Sequence, residues 1–158
     1  MKPDEWLGIL NGPEYEWSSW QQPVRGVSSD EWEQLVSWCG RPLPDDYAAF
    51  LRLTNGADVW HAPYGTLRFW PSHDIPRFSS EAGVRDLPGA FAFGDDTAEE
   101  ILVFDTRPCH PDGRYPVYAV DAYSVHDRWE GAIRVADTFT SLILLRSDLL
   151  HEASKEAR

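Results

Sequence analysis

The chain has 158 residues, a length typical of one domain, and 42% of them are hydrophobic, including 8 Trp, 7 Phe and 6 Tyr. This composition is typical of a folded globular protein and excludes global disorder. The 14 Lys and Arg against 26 Asp and Glu leave a formal net charge of -12. That charge repels nucleic-acid phosphates and anionic lipids, so we expect neither as a partner, and it attracts basic proteins.

The N-terminal part of the sequence predicts two helices after an irregular Trp-rich extension over residues 1–27. Ser28 followed by Glu31 fits a capping box, so the first helix begins there. The second helix begins near Pro44, whose fixed φ suits a first turn, and it ends at Asn55-Gly56. Apolar residues recur at helical spacing in both stretches, which gives each helix one face for the core.

The periodicity then changes from 3.6 to 2, which predicts β-strands. Two of the strands form a hairpin around the segment DDTA at residues 95–98. Asp137 is a candidate cap for a C-terminal helix. Helices first, hairpin-linked strands next and a closing helix predict a single α+β domain with a central, mainly antiparallel sheet. The strands are predicted over residues 65–70, 89–96, 99–105, 114–121 and 131–136.

The two cysteines, Cys39 and Cys109, stand apart rather than in a CxxC pair, which argues against a zinc knuckle or a disulfide framework. Acidic residues near the start of the chain and a break at 11–13 do not fit a signal peptide. The longest apolar runs, ILVF and LILL, are too short to cross a bilayer. We therefore expect a cytoplasmic protein.

Catalytic signatures are scarce, because the sequence contains no GxGxxG, GxxxxGK[ST], HExxH or GxSxG motif. Ser72, His73 and Asp74 are consecutive, and adjacent residues rarely converge as a triad, so we interpret them as a local turn. Cys109 and His110 lack the second ligand pair of a structural zinc site. We expect no enzyme activity and no cofactor or metal.

The predicted hairpin, FGDDTAEEILVFDT, carries a run of carboxylates without a Lys or Arg before Arg107. Such a run is a solvated turn, a surface for a basic partner, or a site for a metal or for carboxylate chemistry. The spacing does not match an EF-hand, and neighbours on one turn do not flank a bond as glycosidase carboxylates do. The carboxylates of this run are Asp95, Asp96, Glu99, Glu100 and Asp105.

The tryptophans divide into two predicted groups. Trp32 and Trp38 lie in the first helix and are expected to pack in the core or to pack the helix against its neighbours. Trp60, Trp70 and Trp129 lie near predicted loops and are candidate anchors of a protein interface, where aromatic side chains supply much of the buried area.

Five blocks of the sequence, in this order and spacing, resemble the SUKH superfamily (Smi/Knr-like): LPDDYAAFLRLTNGAD, GTLRFWPSHDI, FAFGDDTAEEILVFDT, YPVYAVD and VADTFTSLILL. The resemblance runs from about Glu31 to Leu145. The hairpin turn has Thr97-Ala98 where the family often carries glycine, and residues 1–27 have no recognised counterpart.

The resemblance implies an α+β fold and, for bacterial members, an immunity role: binding a co-encoded polymorphic toxin, often a nuclease or deaminase. Other members act as regulators or scaffolds without a toxin, which is the alternative function here. The family pattern supplies no catalytic residue to carry over.

Charge and resemblance together lead to one hypothesis, stoichiometric inhibition of a basic toxin. The acidic hairpin and nearby acids steer the toxin, and tryptophans provide buried area. The residues assigned to partner binding are Asp95, Asp96, Glu99, Glu100, Asp121, Asp127, Glu130, Trp60, Trp70 and Trp129.

Overall fold

The computed structural model describes residues 5–6, 15–17, 25–61, 65–107, 113–123 and 129–144. At residues 15–17, 60–61 and 65 it describes the backbone alone. Within these ranges the chain forms helices packed on an antiparallel sheet, which confirms the predicted α+β class. The extent of the domain over all 158 residues stays a prediction.

Helix α1 spans Ser29–Cys39 and begins with the predicted capping box. The Ser28 hydroxyl accepts a hydrogen bond from the Glu31 backbone N–H at 3.2 Å, and the Glu31 carboxylate accepts one from the Ser28 N–H at 2.7 Å. The helix ends at Gly40, whose φ of 75° lies in the left-handed region. Local sequence therefore determines both ends of this helix.

Helix α2 spans Asp45–Leu53 and buries five consecutive residues, 47–51. Asp46, in the first turn of α2, is hydrogen-bonded to Thr140 near residue 144, where the described part of the chain ends. One carboxylate oxygen accepts hydrogen bonds from the N–H and the hydroxyl of Thr140, at 2.8 and 2.7 Å. The predicted boundaries at Pro44 and Asn55 are confirmed to within two residues.

Within the residues that the structure describes, seven strands form one sheet, in which each strand pairs with the next along the sequence. Every pair is antiparallel. Some connections are short, but helices α1 and α2 both lie between the first and second strands, and residues 70–89 lie between the third and fourth. The strands are β1 (Tyr15–Trp17), β2 (Ala57–His61), β3 (Gly65–Phe69), β4 (Ala90–Asp95), β5 (Glu100–Asp105), β6 (Val117–Asp121) and β7 (Ile133–Ala136).

Aromatic side chains form the core between the helices and one face of the sheet. Tyr47 lies at its centre, with ring centroids 5.6 Å from Phe93, 5.4 Å from Phe104 and 5.2 Å from Phe139. Phe93 and Phe104 stack across β4 and β5 at 4.3 Å. All of these rings are fully buried, and each large apolar side chain contributes about 2 kcal/mol through burial.

Residues 70–89 form short helical elements that the sequence pattern did not distinguish. Ser72–Asp74 forms one turn of 3₁₀ helix, in agreement with the local-turn interpretation, and helix α3 follows at Ile75–Glu81. A second 3₁₀ turn lies at Val84–Asp86. Phe78 of α3 packs edge-on against Trp70, with ring centroids 5.2 Å apart.

The C-terminal helix begins at residue 139 and is described as far as 144. Asp137 does not cap it, because its carboxylate pairs with Arg134 at 2.7 Å. Thr138 takes that role: its hydroxyl accepts the Ser141 N–H at 3.0 Å. The prediction of a helix here is confirmed, and the predicted cap is wrong by one residue.

The N-terminal segment is less irregular than expected where it is described. Tyr15–Trp17 forms an edge strand on β2. Trp6 is fully buried, and its indole N–H donates to the Asp46 carbonyl at 2.9 Å. Its ring also packs edge-on against Phe139 at 5.4 Å. At least part of the Trp-rich segment therefore belongs to the core.

Candidate functional site

The β4–β5 hairpin is confirmed, and its turn occupies residues 96–99. The Asp96 N–H donates to the Glu100 carbonyl at 3.1 Å across the turn. Thr97 has a φ of 65°, a left-handed conformation that a β-branched residue seldom adopts. Gly94 is needed at the base, because a Cβ there would lie 2.4 Å from the Arg68 carbonyl oxygen.

Two of the hairpin carboxylates hold the turn together. Asp95 accepts the Thr97 N–H at 2.8 Å with one oxygen and the Trp70 indole N–H at 2.7 Å with the other. Asp96 accepts the N–H groups of Ala98 and Glu100 at 2.9 and 3.1 Å. These donors offset part of the repulsion between the neighbouring acids.

The remaining carboxylates meet at the end of the hairpin. Glu99 is exposed, and its carbonyl accepts the Ala122 N–H at 2.8 Å, which ties the turn to the residue after β6. Glu100 lies directly opposite Asp121 in the β5–β6 register. We call the four residues Asp96, Glu99, Glu100 and Asp121 the acidic tip.

Charge at the acidic tip is not neutralised by the described part of the chain. No Lys, Arg or His side chain described by the structure lies within 4.0 Å of these carboxylates. Burial raises the pKa of Glu100, and the neighbouring charges of Asp96 and Asp121 raise it further. Ionisation of Glu100 therefore costs free energy in the folded protein, and a nearby cation would reduce that cost.

Tyr123 lies beside the acidic tip and was not among the site residues predicted from the sequence. It is 80% exposed, the largest exposure among the large hydrophobic residues that the structure describes. Its backbone N–H donates to the Asp121 carboxylate at 2.8 Å, and this hydrogen bond restrains the backbone of Tyr123. One feature of the sequence does indicate that Tyr123 is exposed. It lies two residues after a predicted strand that ends in Asp121, and a strand end with a charged residue usually faces solvent.

Asp105, the fifth carboxylate of the run, lies at the other end of β5, about 17 Å from Glu100 at the usual rise per residue. It is buried, and Arg107 binds it through two hydrogen bonds of 2.9 and 2.8 Å. Burial opposes ionisation of Asp105, but the hydrogen bonds and charge of Arg107 together outweigh it and lower the pKa. Asp105 is thus separate from the acidic tip.

Trp129 lies at this other end of the hairpin. The Arg107 guanidinium is 4.3 Å from the centroid of its ring, and Tyr118 packs edge-on at 5.3 Å. The Trp129 indole N–H donates to the Pro88 carbonyl at 2.8 Å. Trp129 is half-buried and its neighbour Glu130 is exposed, so the structure does not bring this pair into the acidic tip.

One tryptophan prediction needs correction. Trp70 was a candidate interface anchor, but it is only 3% exposed and its ring packs against Phe78. Trp38 is 46% exposed, and its ring packs edge-on against Phe91 with ring centroids 6.0 Å apart, as the helix-packing alternative predicted. The Trp60 side chain and all of Asp127 lie outside the described residues.

The described residues contain no group of three or more His, Cys, Asp or Glu side chains arranged to hold a metal ion. Cys109 and His110 lie outside that part of the chain. None of the helices described is long and apolar enough to cross a membrane.

The model of the SMI1 / KNR4 family (SUKH-1) matches residues 26–144, which include α1, α2 and the sheet from β2 to β7. No curated protein matches the chain. The family match covers well over half of the sequence and includes the hairpin with its acidic tip. The chain therefore belongs to the SMI1 / KNR4 family (SUKH-1).

Proposed function

We propose that this chain is a non-catalytic immunity protein that binds a cognate bacterial polymorphic toxin and neutralises it by stoichiometric inhibition. Its family supports an interaction role. The partner that we infer is a basic toxin domain, such as a nuclease or deaminase, because proteins that bind nucleic acid are generally basic. We expect the two proteins to meet in the cytoplasm.

The observation that carries this proposal is the set of acids at the acidic tip, which have no cationic neighbour among the residues that the structure describes. Burial raises the pKa of Glu100, and Asp96 and Asp121 lie close enough for their charges to raise it further. A Lys or Arg brought to this surface by a partner would relieve that repulsion. The net charge of -12 would also speed encounter with a basic protein.

Aromatic residues supply the contact area in this proposal. Tyr123 is the side chain best placed for this, since it is exposed beside the acidic tip. An aromatic ring with a polar end is common in interface centres and mainly slows dissociation. The roles of Trp60, Asp127, Trp129 and Glu130 in the partner interface stay predictions.

A carboxylate-dependent hydrolase is the competing enzymatic interpretation, and the raised pKa of Glu100 is the feature in its favour. Such chemistry needs carboxyl groups enclosed in a cleft around the substrate. Glu99 and Asp121 are instead exposed at the end of a hairpin, where water surrounds them. The geometry therefore favours binding over catalysis.

A regulatory or scaffold protein of the same fold without a toxin partner is the alternative within the family. A pull-down with tagged protein from the native host, at low and then high salt, separates the two. Recovery of a basic toxin domain that salt partly releases supports immunity. Recovery of cellular regulators alone would contradict it and favour the scaffold role.

A further inference from the structure

Trp70 is held rigidly inside the protein at the base of the acidic hairpin. It directly follows β3, and its backbone N–H donates to the Phe93 carbonyl of β4 at 2.9 Å. Its ring is buried and packs edge-on against Phe78 of α3. The direction of the indole N–H is therefore set by the core, not by solvent.

That N–H points at the hairpin. It donates to one oxygen of Asp95 at 2.7 Å, while the other oxygen accepts the Thr97 N–H at 2.8 Å. One carboxylate thus connects a fixed donor in the core to the residue with positive φ in the turn. A left-handed Thr97 persists only where its surroundings hold it, and this connection supplies such a restraint.

We propose that Trp70 is a positioning residue for the acidic tip. Its indole N–H holds Asp95, Asp95 holds Thr97, and the ordered turn presents Glu99 and Glu100 in the arrangement that a basic partner meets. A preordered surface loses less conformational entropy on binding, so the loss of this one donor weakens binding without changing any charge. The effect on binding rests on the function proposed above, whereas the effect on the turn does not.

The first test needs no partner. In Trp70→Phe the N–H is lost and an aromatic ring is kept, whereas Phe78→Leu disturbs the packing of Trp70 and leaves the N–H in place. Amide hydrogen exchange is measured by NMR, with global stability measured in parallel by urea unfolding. We expect exchange at Thr97 to be about tenfold faster in Trp70→Phe than in Phe78→Leu once global stability is taken into account.

The Trp70 indole proton gives an independent signature. A charge-assisted hydrogen bond at 2.7 Å shifts its NMR resonance downfield and protects it from exchange with water. Asp95→Ala removes the acceptor, so we expect the resonance to move upfield and Thr97 exchange to increase, as in Trp70→Phe. Equal Thr97 exchange in Trp70→Phe and Phe78→Leu would overturn the positioning role.

The second test measures binding of a synthetic nona-arginine peptide at low ionic strength. We expect Trp70→Phe, which has the wild-type charge, to bind about threefold more weakly than Phe78→Leu. Faster exchange at Thr97 with wild-type peptide affinity would overturn the link between turn order and binding. If the wild-type chain did not bind the peptide, the proposed function would be contradicted, and the exchange experiment would still decide the positioning role.

Discussion

At the scale of single residues, two acids of the same strand have opposite environments. Glu100 lies opposite Asp121, no described cation neighbours it, and its pKa is raised by burial and by adjacent acids. Asp105 is bound by Arg107, and its pKa is lowered. The pH dependence of stability should therefore have opposite signs at the two positions.

Glu100→Gln is expected to stabilise the protein at neutral pH. A raised folded-state pKa means that ionisation of Glu100 costs stability, and this cost disappears as pH falls below the unfolded pKa of about 4.3. Like charges directly opposite in a sheet destabilise it by about 0.5 kcal/mol, so we expect Tm to rise by about 1 to 2 °C at pH 7. Thermal unfolding at pH 7 and pH 4 checks this, and a gain that persists at pH 4 would contradict it.

Arg107→Met is expected to destabilise the protein by about 2 kcal/mol at neutral pH, because Asp105 loses two charged hydrogen bonds. The lowered pKa of Asp105 means that this contribution is complete above its unfolded pKa of about 3.9 and is lost as pH falls through the folded value. Urea unfolding at pH 7 and pH 3 measures the difference.

The control is Arg134→Met, which breaks an exposed pair with Asp137. We expect a much smaller loss from that variant, because water screens an exposed pair. Equal losses in the two variants would show that Arg107 does not stabilise a buried carboxylate.

At the scale of elements, a helix or strand was predictable from the sequence when the contacts that determine it lie close together along the chain. Ser28 and Glu31 lie three residues apart, so the capping box and the start of α1 were readable from sequence. Strand β1 was not, since Tyr15–Trp17 is short and pairs with residues 59–61, more than forty positions away. Trp70 was misassigned because its burial depends on contacts with other elements, not on the local pattern.

Ser28→Ala is expected to cost about 1 kcal/mol, because α1 loses the hydroxyl that accepts the Glu31 N–H. Ser37→Ala is the matched control, since Ser37 lies on the exposed face of α1 and Ala favours helix. Urea unfolding of both variants measures the effect. A loss in Ser37→Ala equal to that in Ser28→Ala would argue against a capping role.

At the scale of the whole molecule, the sequence predicted the acidic charge of the surface well. It did not predict which of the acids lie together in space. The run of acids predicted an acidic surface, and the structure groups Asp96, Glu99 and Glu100 with Asp121. The structure also shows two contacts that the alternating strand pattern does not predict. Asp95 is bound within the turn, and Asp105 pairs with Arg107. Tyr123 escaped notice because exposure beyond the end of a strand has no periodic signature.

The most direct test of the account is the association rate with the toxin recovered from the host, measured at low salt by surface plasmon resonance. The test variant is Glu99→Lys/Asp121→Lys, which reverses two exposed acids and spares Asp95. The control is Asp30→Lys/Glu33→Lys, which makes the same charge change on exposed positions of α1.

We expect the acidic-tip variant to associate at least tenfold more slowly than the control at low salt, with the difference shrinking as salt is added. This result would place the basic partner at the end of the hairpin. Equal association rates for the two variants at low salt would contradict the docking role of the acidic tip.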